Sequence, residues 1–241
     1  MTDKFILNSV VTYAGVDRDE VLTLAGVFKL LQDAAIAHAN QFDAGTRAML
    51  TRGESWVLNR IAVEIVRYPR YEEAVRVETW SNGIRGFKGI RDFRGYDGRG
   101  EQWLRGSSLW LYVNARTKTI VRVPPEIAAG FPTHTAELFC PDLEKLEFDA
   151  PAETAPRIEV TLRYADFDAN AHVNNAAYLD FVQTALARAG FPARPRGVRV
   201  KYAKGIAAET AAIDVRVERV ADGARFGVEK DGTVYAVGET L

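Results

Sequence analysis

The chain repeats itself, and a repeat restricts the possible folds more than composition does. Setting "TYAGVDRDEVLTLAGVFKLLQDAA", from Thr12, against "RYADFDANAHVNNAAYLDFVQTAL", from Arg163, pairs Tyr13 with Tyr164, Ala14 with Ala165 and Asp17 with Asp168. At the same offset Ala25 meets Ala176, Gln32 meets Gln183 and Ala34 meets Ala185. Self-similarity held at one offset marks a duplicated structural unit. In the second copy Tyr178, Phe181, Val182, Ala185, Leu186 and Ala189 recur at three- and four-residue intervals, and Gly190 supplies a stop, which predicts a helix. The aligned positions Val27, Leu30, Leu31, Ala34, Ala35 and His38 predict its counterpart in the first copy.

Strands follow each helix. "SWVLNRIAVEIV", "AVRVETW", "FKGIRDFRGYD" and "EQWLRGSSLWLYVN" are rich in aromatic and β-branched residues and are separated by Tyr-Pro, Ser-Asn-Gly and Asp-Gly turn signals. "VRVKYA", "AIDVRVERV", "ARFGVEKDG" and "TVYAVGETL" repeat the pattern in shorter form. Between the halves stand six of the nine prolines: Pro124, Pro125, Pro132, Pro141, Pro151 and Pro156. The expected organisation is therefore an N-terminal domain over 1–113, a Pro-rich linker over 114–157 draped on the surface, and a C-terminal domain over 158–241. A helix with so wide an apolar face is buried only by a sheet wrapped around it, so the fold class expected is α+β, two tandem units of one long helix and an antiparallel sheet.

With 241 residues, 47% of them hydrophobic, the chain can bury a substantial core. No apolar run approaches the roughly 20 residues needed to cross a bilayer, and the first residues lack the order of a secretory signal, so a cytoplasmic protein is expected. Cys140 is the only cysteine and the histidines number three, which argues against a disulfide and a zinc site. No metal and no cofactor are expected. Thirty-one basic against 32 acidic residues give no sign of nucleic-acid binding.

The arrangement resembles a double hot-dog fold, and the sequence is similar to the acyl-acyl carrier protein thioesterases of plants and bacteria. "DANAHVNNAAYLDFV" in the second half carries the resemblance, with "WVLNRIAVEIVRYPRYEEAVRVETW" and "LRGSSLWLYVNARTKTIVRVPPEI" in the first. It implies hydrolysis of fatty acyl-acyl carrier protein to free fatty acid and carrier protein, terminating or diverting fatty acid biosynthesis. It also implies that the family's catalytic Asp, Asn and His fall on Asp168, Asn170 and His172. Where plant members carry an acidic residue followed by cysteine after a Tyr-containing strand, this chain has Gly205 and Ile206. Glu209 is the nearest carboxylate in sequence.

The residues support the same chemistry. Asp168, Asn170 and His172 alternate, so in an extended segment they share one face. A carboxylate or imidazole takes a proton from water, or the carboxylate attacks directly, while the amide fixes geometry. Backbone N–H groups at the helix start, near Val173, Asn174 and Asn175, are expected to be unpaired and to donate to the thioester carbonyl. For Asn174 and Asn175 themselves, capping and turn formation weigh more. In the first copy Asp19, Val21, Thr23 and Leu24 replace Asn170, His172, Asn174 and Asn175, so only the second half looks equipped for chemistry. His38, on the apolar stripe of the first helix, reads as a satisfied core histidine, and His134 and Cys140 are assigned nothing.

Trp56, Trp80, Trp103 and Trp110 are candidates to line an acyl tunnel, with core packing equally open for each. Arg188, Arg194, Arg196, Arg199, Lys201 and Lys204 occur without an acid between Phe181 and Ala208, a patch suited to steer acidic acyl carrier protein. Acyl-coenzyme A hydrolysis, or acyl binding without catalysis, are the alternatives. Because single hot-dog proteins pair, a monomer or a homodimer of double units would both fit.

Overall fold

The computed structural model describes residues 4–42, 44–134 and 138–241. Its strands are β1 (Phe5–Val10), β2 (Glu54–Ile65), β3 (Ala74–Arg85), β4 (Lys88–Asp97), β5 (Gln102–Asn114), β6 (Arg157–Thr161), β7 (Gly197–Tyr202), β8 (Ala212–Val220), β9 (Gly223–Lys230) and β10 (Thr233–Thr240). They form one antiparallel sheet in the order β1-β3-β4-β5-β2-β7-β10-β9-β8-β6. The order reads alike from either edge: each half contributes five strands in the same sequence, and the halves join where β2 pairs with β7, Arg60 opposite Lys201 and Ala62 opposite Arg199. The duplication seen in the sequence is thus a duplication of topology.

The helices are α1 (Leu24–Asn40), α2 (Thr46–Thr51), α3 (Pro125–Gly130) and α4 (Ala177–Arg188). α1 and α4 are the repeated pair. They pack against each other and on one face of the sheet, burying Val27, Leu31, Ala34 and Ala35 from α1 and Tyr178, Phe181, Val182, Ala185 and Leu186 from α4 in one core. Gly190 ends the second helix in the left-handed region at φ 76°, where a side chain would be strained. Thr23 caps α1 by accepting from the Gly26 N–H at 3.0 Å, and Gln183 on α4 accepts from the Leu24 N–H at 3.0 Å, so one helix caps the other. None of the described helices is long and apolar enough to cross a membrane.

Two register shifts bend the first half of the sheet around α1, between Leu58 and Arg60 in β2 and between Ser81 and Gly83 in β3. Side chains alternate through the sheet: Ile61, Val63 and Ile65 join the helix-side core, while Ala62 faces outward and is covered by Leu143, with Phe139, Cys140 and Leu146 packed around it. The segment between the halves therefore does more than connect them. Part of it shields the outer face of the sheet, and Phe131 reaches the helix-side cavity described below.

Candidate active site

The loop entering α4 is a tight turn, not the extended segment expected from the alternation of Asp168, Asn170 and His172. Asp168 Oδ1 accepts from the Asn170 N–H at 2.8 Å, and the Asp168 N–H donates to the His172 carbonyl at 2.8 Å. The Ala171 N–H closes the turn on the Asp168 carbonyl at 3.0 Å, with Ala171 at φ 57°. A non-glycine residue there is uncommon and costs backbone strain. Asp168 and Asn170 consequently line a cavity together with Asn175, whereas His172 is not among the residues that line it.

The imidazole of His172 is held on two sides. Its Nδ1 lies 2.8 Å from the Asn170 carbonyl oxygen. A carbonyl only accepts, so Nδ1 carries a proton, and in the neutral ring it is Nε2 that holds the lone pair a base requires. On the other side is Gly205, where a Cβ would stand 2.6 Å from His172 Cδ2. The ring occupies the space that a side chain at 205 would need. Ile206 is fully buried and its carbonyl receives the Val173 N–H at 3.0 Å. Glu209 is exposed and forms no hydrogen bond with the ring, whose polar partner among the described residues is backbone.

The helix start differs from expectation. α4 begins at Ala177, and the N–H groups of Val173 and Asn174 are already used, the second donating to the Asp166 carbonyl at 2.8 Å. They are not free to stabilise an oxyanion. The Asn174 side chain accepts from the Ala176 N–H at 2.9 Å, the turn-forming role its residue type suggested. Asn175 alone of the three keeps a backbone N–H with no acceptor among the described residues, and it lines the cavity. The Tyr202 hydroxyl holds it by donating to the Asn175 carbonyl at 2.9 Å. Burial pushes the Tyr202 hydroxyl far above its ordinary range, and that of Tyr178 likewise, so both remain neutral donors.

The cavity, about 150 Å³, has its remaining walls in the first half of the chain. Gln32, Ile36, Met49, Ile84 and Ile90 line it, as do two of the four tryptophans, Trp56 and Trp110. Trp103 is a core residue at the far end of β4 and β5, and buried Trp80 is not part of the wall. Sequence reasoning missed Gln32, Arg91 and Phe131 as wall residues, although the pairing of Gln32 with Gln183 was visible in the repeat.

The basic run is less free than its sequence suggests. Arg194 donates to Asp17 at 2.6 Å and also to Asp19, both from the first repeat, and Lys201 pairs with Glu147, which also pairs with Arg60. Burial pushes the Asp17 carboxyl up, but Arg194 and the N–H groups of Asp19 and Val21 outweigh it and hold the group below the usual range. Arg188, Arg196, Arg199 and Lys204 are exposed, with no ion pair among the described residues. His38 is fully buried, yet only half satisfied: Nδ1 meets Arg91, while Nε2 has no partner. Among the described residues no cluster of three or more His, Cys, Asp or Glu could hold a metal ion.

Comparisons with known proteins identify the family and the fold. The model of the acyl-ACP thioesterase N-terminal domain matches residues 2–131, and that of the C-terminal domain matches residues 150–232. A dodecanoyl-[acyl-carrier-protein] hydrolase of Cinnamomum camphora is 32% identical over 176 residues, covering 68% of this chain and 46% of its own. An acyl-[acyl-carrier-protein] hydrolase of Cuphea viscosissima is 30% identical over 180 residues, covering 68% of this chain and 42% of its own. The chain spans about half the length of the curated relatives it matches. Two solved structures share the fold: the 12:0-ACP thioesterase of Umbellularia californica (TM-score 0.85, 22% identity, 100% of this chain and 97% of that one) and an acyl-ACP thioesterase of Bacteroides thetaiotaomicron (TM-score 0.85, 20% identity, 99% and 97%). The fold is therefore the double hot-dog, and the chain belongs to the acyl-ACP thioesterase family.

Proposed function

We propose that the chain hydrolyses fatty acyl-acyl carrier protein, releasing free fatty acid and the carrier thiol, with residues 1–113 supplying the acyl pocket and residues 158–241 the catalytic groups. The observation that carries this reading is one cavity with apolar walls from the first half and Asp168, Asn170 and Asn175 from the second. The names of the relatives, acyl-acyl carrier protein hydrolases, support the substrate class.

Asp168 Oδ1 is engaged in the turn, which leaves Oδ2 as the basic atom toward the cavity. It takes a proton from water, with the Nε2 lone pair of His172 beside it as second acceptor, and the water oxygen bonds to the thioester carbon. The Asn175 N–H receives the oxyanion and the Asn170 amide orients the water. The C–S bond then breaks, and the proton taken from water returns to the departing sulfur. Stabilisation of the oxyanion by one donor is worth roughly 3 kcal/mol in comparable sites.

The test is purified protein with acyl carrier protein species of graded chain length, released acid being measured, beside coenzyme A esters of the same chains. Faster turnover of the carrier protein substrate, with a Michaelis constant that rises with salt, supports the reading, because Arg188, Arg196, Arg199 and Lys204 remain available to an acidic partner. Preference for the coenzyme A ester without salt dependence moves the activity to that substrate. Bound ester that is never hydrolysed removes the enzyme. Single turnover in ¹⁸O water tests the alternative in which the carboxylate attacks, since label would then enter Asp168.

A further inference from the structure

Arg91, on β4, lines the same cavity as Asp168 and is 7% exposed. A tunnel for an alkyl chain has no need of a cation, and among the described residues no carboxylate neutralises this one. Its Nη1 donates to His38 Nδ1 and to Thr79 Oγ1, each at 3.0 Å, and both acceptors are neutral groups. Nε and Nη2 have no acceptor, and no carboxylate lies within ion-pair distance, among the described residues. The adjacent Asp92 is turned the other way, accepting from Ser107 at 2.6 Å and from the Phe139 N–H at 3.2 Å. The guanidinium carbon lies 5.7 Å from the centroid of the Phe131 ring, within cation–π reach. Because His38 Nδ1 accepts from Arg91, the histidine proton is on Nε2, which has no partner among the described residues. Arg91 thus stands at the cavity wall as a buried cation without a carboxylate among the described residues. A buried charge without an opposite charge beside it is costly.

We propose that the pocket is built for acyl chains that carry an oxygen anion of their own, a carboxylate remote from the thioester, with Arg91 as its receptor. This deepens the thioesterase reading and rests on it for the reaction, but not for the binding. A guanidinium presents two parallel N–H groups to a carboxylate, the geometry that distinguishes it from a methyl terminus. His38 and Thr79 act as positioning residues that fix the plane of the guanidinium.

The test needs no catalysis. Binding of an α,ω-dicarboxylic acid to the wild-type protein is compared by calorimetry with binding of the monocarboxylic acid of equal carbon number, across a range of lengths. At the matching length the dicarboxylate is expected to bind about tenfold tighter or more. Arg91→Met, which keeps the stem and removes the charge, is expected to abolish that preference, its fold being checked by thermal melting. Equal affinity of the two acids for the wild type at every length overturns the proposal without any variant, as does a folded Arg91→Met protein that keeps the preference. A protein that hydrolyses plain acyl thioesters but shows no dicarboxylate preference loses this inference and keeps the function. One that prefers the dicarboxylate and hydrolyses nothing does the reverse.

Discussion

The loops at 17–23 and 168–174 are copies of one backbone that do different things. In both, the leading aspartate accepts from the N–H two residues on, at 2.9 Å for Asp17 and 2.8 Å for Asp168. In both, the residue three positions on turns left-handed, Glu20 at φ 60° and Ala171 at φ 57°. Each loop then leans on a strand-end segment, Leu22 donating to the Pro69 carbonyl as Val173 donates to that of Ile206. The aspartate and the strained turn therefore belong to the fold. What separates the loops is which groups stay free. Arg194 occupies Asp17 Oδ2, and no cation does so for Asp168. Gln183 takes the Leu24 N–H, while the equivalent Asn175 N–H has no acceptor among the described residues, and Asn175 lines the cavity together with Gln32. Where the first loop pairs Val21 with Arg70, the second pairs His172 with Ala207, and Gly205 makes room for the ring. On the proposed reading, the second loop gains its chemistry by leaving scaffold groups unpaired as much as by adding new ones.

The sharpest way to break the comparison is to make the second loop resemble the first. His172→Val should lower the hydrolysis rate by roughly a hundredfold or more with the melting temperature little changed, because Val21 already serves at that place in the first loop. Retained turnover in the folded variant would show that the histidine is dispensable.

The two histidines on the two repeats should also part company in acid. Burial, then Arg91, lowers the His38 pKa from 6.5 to about 4. The unfolded chain therefore binds the proton first, so the stabilising contribution is complete above pH 6.5 and is lost as pH falls toward 4. The slope is roughly 1.4 kcal/mol per pH unit in that window. Denaturant titrations at stepped pH should show this component in the wild type and not in His38→Asn.

Gly205→Ala places a Cβ against the His172 ring and should reduce turnover about tenfold through misplacement of the imidazole, with a smaller effect on stability. An unchanged rate would mean that the ring position is not critical. Smallest of all, Arg194→Met should cost about 1 kcal/mol or less, since the pair it forms with Asp17 is partly exposed, and it should leave the turnover of small thioesters alone.

The strands of both halves were legible because two-residue alternation and turn residues are local signals. β1 and β6 were not expected: they are short edge strands with alternating partial exposure, recognisable only from the partners they find in β3 and β8. Residue type drew attention to the 168–175 loop, but its turn was hidden because alanine at 171 does not advertise a left-handed backbone. The availability of each N–H was equally hidden, being decided by Ile206 and Asp166. The cations at 194 and 201 find their acids at 17, 19 and 147, which no local window contains. Arg91 looked like an ordinary alternating strand residue, and only the packing of α1 and Phe131 around it creates a buried cation.

The central claim, that a shared aspartate is scaffold in one repeat and reactive group in the other, is tested most directly by Asp17→Asn and Asp168→Asn assayed side by side. Asparagine keeps the Oδ1 acceptor of the turn in each case and removes only the charge. The account predicts that Asp168→Asn loses roughly a hundredfold or more in single-turnover acyl thioester hydrolysis while melting near the wild type. Asp17→Asn should keep near wild-type turnover and melt lower, its Arg194 having lost a charged partner. Equal losses of activity in the two variants, or a folded Asp168→Asn protein with near wild-type turnover, would contradict it.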